Sequence, residues 1–255
     1  MYYEIHGRTD GAPTVVLSSG LGGAAHYWAA QIPALARHFR VMAYDQRGTG
    51  RSGGSVPENY SVGDMAAEVA ALLDSLAVER CHFVGHALGG LIGLQLAVDR
   101  PALLDRLVLV NAWAKMHPHT LRCFSLRKSL LLDTGPEAYV RAQSLFLYPT
   151  WWLAERQDWL KEQDAAGIAH FPGTETVLQR IAAVEAFDLD PSRITAPTLV
   201  VAVRDDLLVP CACSVALADA LPNAKLLLLE QGGHACNVTD PSSFDAAVLG
   251  FLRDG

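Results

Sequence analysis

This 255-residue chain carries little charge and no excess of positive charge: 20 Lys and Arg stand against 27 Asp and Glu, a net charge of −7. Charged residues make up 18%, below the roughly 25% of an average globular protein. That balance, with a pI near 5.7, excludes nucleic acid and an anionic membrane surface as partners. No apolar run approaches the roughly 20 residues of a membrane span. The five cysteines are odd in number and irregularly spaced, so they do not form a disulfide framework. A reducing cytoplasm is the expected compartment. The sequons at Asn59 and Asn237 are then chance matches, and Met1–Gly7 alternates like a strand rather than reading as a leader. Cys211-Ala212-Cys213 has the wrong spacing for structural zinc, and no phosphate-loop or dinucleotide glycine motif occurs. Neither a metal nor a cofactor is expected.

What the chain does have is apolar residue, 51% of the total. One large domain with a well-filled core fits this length, and the excess points weakly to a homodimer contact. Apolar, β-branched runs at Thr14–Ser18, Arg40–Tyr44, Cys81–Val84, Leu104–Asn111, Pro197–Val203 and Ala224–Glu230 alternate with longer helical stretches. These are Ala25–Arg37, Val62–Ala77, Leu88–Asp99, Cys213–Ala220 and Ser242–Leu252. The alternation predicts an α/β fold, a mostly parallel sheet with helices on both faces. Ser61 with Asp64, and Asp240 with Pro241, mark two helix starts. From Trp113 to Asp190 the strands stop and short helices follow one another, with four of the five tryptophans. The expected organisation is a core of residues 1–112 and 191–255 and a helical lid of 113–190 over the strands' C-terminal ends.

Four pieces of sequence converge on one site. Gly85-His86-Ala87-Leu88-Gly89 lies where a strand turns into a helix, the context of the nucleophile elbow G-x-S-x-G, yet its centre, Ala87, has no hydroxyl. Ser19-Gly20-Leu21-Gly22-Gly23 is a glycine-rich turn after a strand; with the amide following the elbow centre it would form an oxyanion hole from the N–H groups of Leu21 and Leu88. Taken alone it is also an ordinary tight turn. Asp206 follows a strand end, and His234 follows the next strand after Gly232-Gly233. The order elbow, acid, histidine is that of a Ser-His-Asp hydrolase, in which the carboxylate fixes the imidazole tautomer. The fourth piece, Tyr44-Asp45-Gln46-Arg47-Gly48-Thr49-Gly50-Arg51-Ser52, reads as a structural turn pinned by an Asp/Arg pair. Pocket candidates are His86, which also packs the turn, Asn237, Arg122 and Tyr148, with Arg127, Trp152, His170 and Cys236 as weaker ones. The alternative for each is core or surface. Cys236 as a replacement nucleophile would need a base, and the nearest histidine in sequence is its near neighbour.

With these pieces in view the chain resembles the α/β-hydrolase superfamily over essentially its whole length, which places the helical lid after the sixth strand of the fold. It is similar in particular to the hydrolase-fold proteins of the Rut pyrimidine-degradation pathway. The stretches that carry this are Tyr44–Gly50, Gly85–Gly89, Arg122-Cys123-Phe124, Leu145–Pro149, Asp205–Pro210 and Gly232–Pro241. The resemblance implies alanine as a native elbow residue. It also implies hydrolysis of a small amino compound from uracil breakdown, carbamate or 3-aminoacrylate. The expected mechanism is a single displacement in which His234, oriented by Asp206, activates a water. The competing expectation is a hydrolase fold that binds a ligand or partner without catalysis; a third is a serine esterase altered at position 87.

Overall fold

In a computed structural model that describes residues 1–253, seven strands form one sheet: β1 (Tyr3–Gly7), β2 (Thr14–Ser18), β3 (Arg40–Tyr44), β4 (Cys81–His86), β5 (Leu104–Val110), β6 (Thr198–Val203) and β7 (Ala224–Leu229). The last two residues of the expected core, 254 and 255, lie outside the described ones. The spatial order is β1-β3-β2-β4-β5-β6-β7, with β1 antiparallel to β3 and the other neighbours parallel. Strands β2, β4 and β6 are buried at every position, as parallel strands covered on both faces must be.

Period-two alternation sends their side chains to two cores. Val16, Met42, Phe83, Leu107 and Val200 meet the residues of α2 (Val62–Ser75), α3 (Leu88–Asp99) and α9 (Cys211–Ala220). Val15, Leu17, Val84, Val108 and Val201 meet Trp28 and Phe244, Val248 and Phe251 of α11 (Pro241–Arg253). The Ser61–Asp64 signal is a full capping box on α2, and the Asp240 carboxylate accepts the Ser243 amide at the start of α11.

The expected helix Ala25–Arg37 is broken: a 3-10 turn at Ala25–Trp28 is followed by the short α1 (Ile32–Leu35). Pro33 lacks the N–H a continuous helix would bond to Ala29, so the chain resets there. Between β5 and β6 lie α4 (Pro118–Ser129), α5 (Pro136–Leu147), α6 (Thr150–Ala154), α7 (Gln157–Ala169) and α8 (Thr174–Glu185). The expectation of six strands before this insertion is corrected: it follows the fifth strand, counted from β1. The chain reverses its direction of travel across the sheet between β2 and β4, the switch point at which open α/β sheets leave a crevice. The short α10 (Cys236–Thr239) follows the loop after β7.

Candidate active site

The crevice is lined on one side by the turn after β4. Ala87 has φ 47° and ψ −115°, outside the regions open to an ordinary residue, and its amide donates to the Val110 carbonyl at 2.9 Å. Such a conformation costs about 1–3 kcal/mol and persists only where the surroundings dictate it. They do so here. A Cβ at Gly85 would lie 2.3 Å from the Gly89 carbonyl oxygen, and one at Gly89 would lie 2.1 Å from that of Ser18. The two glycines thus let strand, turn and α3 pass at backbone distance. Leu88 opens α3, so its N–H is one of the amides a helix start leaves without an intrahelical partner.

Opposite the elbow, Asp206 and His234 form the expected pair. Asp206 Oδ1 accepts the Leu208 and Val209 amides at 2.8 and 2.9 Å, which leaves Oδ2 to accept from His234 Nδ1 at 2.7 Å. With the proton on Nδ1, His234 Nε2 is a free acceptor. The loop carrying the histidine is tied down in turn. Asp205 Oδ1 accepts the Gly233 amide at 2.7 Å. The His234 carbonyl accepts from His86 Nε2 at 2.8 Å and from Asn111 Nδ2 at 2.7 Å. The Ala235 amide donates to the Leu147 carbonyl at 3.0 Å, which brings the insertion directly onto this loop. His234 is only 2% exposed.

His86, expected to pack the elbow turn, also holds the His234 loop through this bond. A carbonyl only accepts, so Nε2 carries the proton. Burial, and secondarily the neighbouring His234, hold the His86 pKa well below the usual imidazole value. Its ring stacks on Tyr27 at 4.9 Å and meets the His234 ring edge-on at 4.7 Å. The glycine loop lies against both: a Cβ on Gly20 would sit 3.1 Å from His86 Nδ1 and 3.6 Å from the Ala87 methyl. The loop is closed by the Gly23 amide bonded to the Gly20 carbonyl at 3.0 Å. In a trans peptide the Leu21 N–H points opposite that carbonyl.

The remaining candidates divide. Asn237 does not line the crevice. It is fully buried, and its side chain accepts from Tyr27 at 2.7 Å and donates to Gln31 at 3.2 Å, while its carbonyl takes the Gln31 amide at 2.8 Å. It is a brace between the histidine loop and the segment after β2. Arg122 is exposed on α4 and is not brought to the site; the buried arginine of that helix is Arg127. Tyr148 stacks on Trp152 at 4.7 Å and meets Trp159 edge-on, with its hydroxyl pKa pushed up to about 12 by burial. It lies in the Leu147–Pro149 stretch that presses on Gly233. His170 is exposed, its Nδ1 at 2.9 Å from the Ala166 carbonyl where α7 ends. The Cys236 thiol is pushed up to about 12 by burial, so it holds its proton and is not a nucleophile.

The turn after β3 is the structural pin expected: Asp45 accepts from the Ala25 and Arg51 amides and pairs with the Arg51 guanidinium. Sequence reasoning passed over three residues. Asn111 sits at φ 48° just past β5, and an asparagine at a strand end is the one signal available for it. Gln46, inside the pinned turn, donates to the Ser19 carbonyl at 2.7 Å. Arg180 of α8 reaches the Leu21 carbonyl at 2.9 Å, and nothing in its helix marks it. Among the described residues no group of three or more His, Cys, Asp or Glu side chains is gathered as a metal site.

Comparison with known proteins identifies the fold and the family. Residues 13–138 match the model of the alpha/beta hydrolase fold, and 180–255 match that of TAP-like proteins. The chain is 54% identical to a protein of Pseudomonas savastanoi pv. phaseolicola, over 99% of each chain. It is 55% identical to one of Pseudomonas syringae pv. syringae, over 99% of this chain and 98% of that one. Both carry the name "Putative carbamate hydrolase RutD". Among solved structures, a hydrolase from Pseudomonas aeruginosa PA01 superposes with a TM-score of 0.88 at 32% identity, covering 98% of this chain and 93% of that one. The enol-lactonase of Burkholderia xenovorans LB400 superposes with a TM-score of 0.90 at 29% identity, covering 99% and 96%. By sequence over its whole length and by fold, this chain belongs to the RutD family of α/β hydrolases.

Proposed function

We propose that the protein hydrolyses a small, labile amino compound of pyrimidine catabolism, carbamate or 3-aminoacrylate, by delivering water rather than forming an acyl-enzyme. The observation that carries this reading is the 2.7 Å His234–Asp206 pair kept beside a strained elbow whose centre is alanine. A site that only bound a ligand has no need of a tautomer-fixed imidazole. With carbamate, His234 Nε2 takes a proton from water as the oxygen attacks the carboxyl carbon. The Leu21 and Leu88 amides receive the developing oxyanion, and the imidazolium returns its proton to the departing ammonia, leaving bicarbonate. With 3-aminoacrylate, the same water adds to C3 of the imine tautomer and ammonia leaves to give the aldehyde.

Acid–base help of this kind contributes about 10²–10⁴-fold, a gain that matters for a substrate already prone to decompose. The insertion acts as a lid: Leu147 and Pro149 rest on the histidine loop, and Ala87, Asp206 and His234 are buried. Five free cysteines suit a cytoplasmic protein. The exposed Leu132, Leu145 and Trp151 of the insertion are the surface a homodimer would cover, which light scattering checks.

The test follows ammonia release from freshly generated carbamate and from 3-aminoacrylate. Wild type is expected to accelerate release, and His234→Ala to be indistinguishable from buffer. Equal rates for the two proteins would sink the general-base role. Saturable binding without turnover would leave the binding reading instead.

A further inference from the structure

Arg180 is 1% exposed, yet it makes no contact with a carboxylate. Its hydrogen bonds go to neutral oxygens: Nη2 and Nε to the Leu21 carbonyl at 2.9 and 3.3 Å, Nη1 to the Arg47 carbonyl at 3.4 Å, and Nη2 again to Gln46 Oε1. Gln46, also buried, passes the contact on through Nε2 to the Ser19 carbonyl at 2.7 Å. Three successive carbonyls of the glycine loop are therefore claimed: Ser19 by Gln46, Gly20 by the Gly23 amide, Leu21 by Arg180. Gly23, at φ 73°, has no room for a Cβ, which would lie 2.5 Å from Thr49 Oγ1 and 2.9 Å from Arg180 Nη2.

A buried cation without an anion in contact is costly and is rarely kept without use. Burial lowers the Arg180 pKa only to about 10, so the group stays charged at neutral pH. A second buried guanidinium, Arg127, also bonds only neutral groups, Tyr139 and Gln143, and its Nε has no partner. The carboxylates nearest Arg180 are engaged elsewhere: Glu68, which acts on it only at a distance, binds Arg47 and Tyr60, and Asp45 pairs with Arg51.

We infer that Arg180 is a positioning residue: with Gln46 it fixes the carbonyls of the oxyanion loop, and its charge behind that loop, met by no carboxylate in contact, selects a substrate that is itself a small anion. This inference rests on the hydrolytic reading for the loop's role, but not for the charge selection.

The experiment compares wild type with Arg180→Lys, Arg180→Met and Gln46→Met in two readouts, kcat and KM for ammonia release, and binding of acetate against its neutral counterpart acetamide. Wild type should prefer acetate. Arg180→Met should lose that preference about tenfold, the size expected of a charge acting through several ångströms of protein. Arg180→Lys and Gln46→Met keep the positive charge but lose the fork or its bridge. Both should keep the acetate preference while kcat falls about 10–10²-fold, as for a loop displaced by a fraction of an ångström to one ångström. If Arg180→Met does not fold, the other two variants still decide the loop's part, because unchanged kcat in both overturns it. Indifference of wild type to acetate, or a folded Arg180→Met with unaltered preference, overturns the charge selection. If wild type hydrolyses neither compound, the hydrolytic reading fails while the acetate comparison still reports on Arg180.

Discussion

Helices α3 and α7 are nearly equal in length, 12 and 13 residues, yet they sit in opposite surroundings. Nine residues of α3 are buried, on every side of the helix, whereas none of α7 is. The first packs on the sheet and follows the elbow; the second belongs to the insertion between β5 and β6. α3 contains three glycines and α7 one, and Gly89 and Gly167 have different neighbours. Gly89 abuts backbone carbonyls of Ser18 and Ser19, while Gly167 abuts a methyl of Val140.

Gly89→Ala is expected to have the largest effect on stability. The added methyl has nowhere to go without parting β2 from α3, and the loss should be on the order of 3–5 kcal/mol, read as the shift in urea midpoint. If the midpoint stays put, the elbow is looser than its contacts imply. Next comes Asp206→Asn, which removes the acceptor that orients His234 while leaving the insertion untouched. Ammonia release should fall about 10²–10⁴-fold with little change in melting temperature, and an unchanged rate would mean the imidazole needs no orienting group.

Asp245 gives a smaller, pH-dependent effect. It lies on α11, away from both helices, and burial lifts its pKa to about 6, only partly offset by Gln31. Between an ordinary carboxyl value of 3.8 and about 6 the folded protein holds this proton and the unfolded chain does not. Stability therefore falls as pH rises through that window. Asp245→Asn should melt higher than wild type near pH 7, and the gap should close below about pH 4; a gap independent of pH would assign the effect to something other than the carboxyl charge. Smallest of all should be Gly167→Ala. The Val140 methyl it meets can turn aside, and alanine gains about 1 kcal/mol of helix propensity over glycine. The midpoint should move by less than that amount, and a loss like that of Gly89→Ala would erase the contrast between the two regions.

The sheet was legible because its central strands are runs of apolar, β-branched residues: Thr14–Ser18 and Pro197–Val203 read as strands, and β2 and β6 are buried along their whole length. The elbow was legible for a related reason, since glycines two before and two after a strand end have few other uses. Misreadings arose where spacing alone could not fix direction. Arg122 and Arg127 stand five residues apart on α4, which turns them about 140° from one another around the axis. The sequence offers no means of telling which faces inward. Asn237 follows His234 closely and so resembled a pocket residue, but Tyr27 and Gln31, more than 200 positions earlier, claim it. In Ala25–Arg37 the periodicity held, yet Pro33 withheld one amide and the helix broke.

By itself the sequence determined the α/β order of elements, the strained turn at Ala87, and the absence of a hydroxyl there, because periodicity and turn chemistry act over a few residues. Only the tertiary structure decided that Asp206 lies 2.7 Å from His234, that Leu147 rests beside them, and that Arg180 grips the Leu21 carbonyl. Those contacts join residues up to 159 positions apart. Which distant groups meet is set by how the sheet packs and how buried donors find acceptors, and no local pattern encodes it.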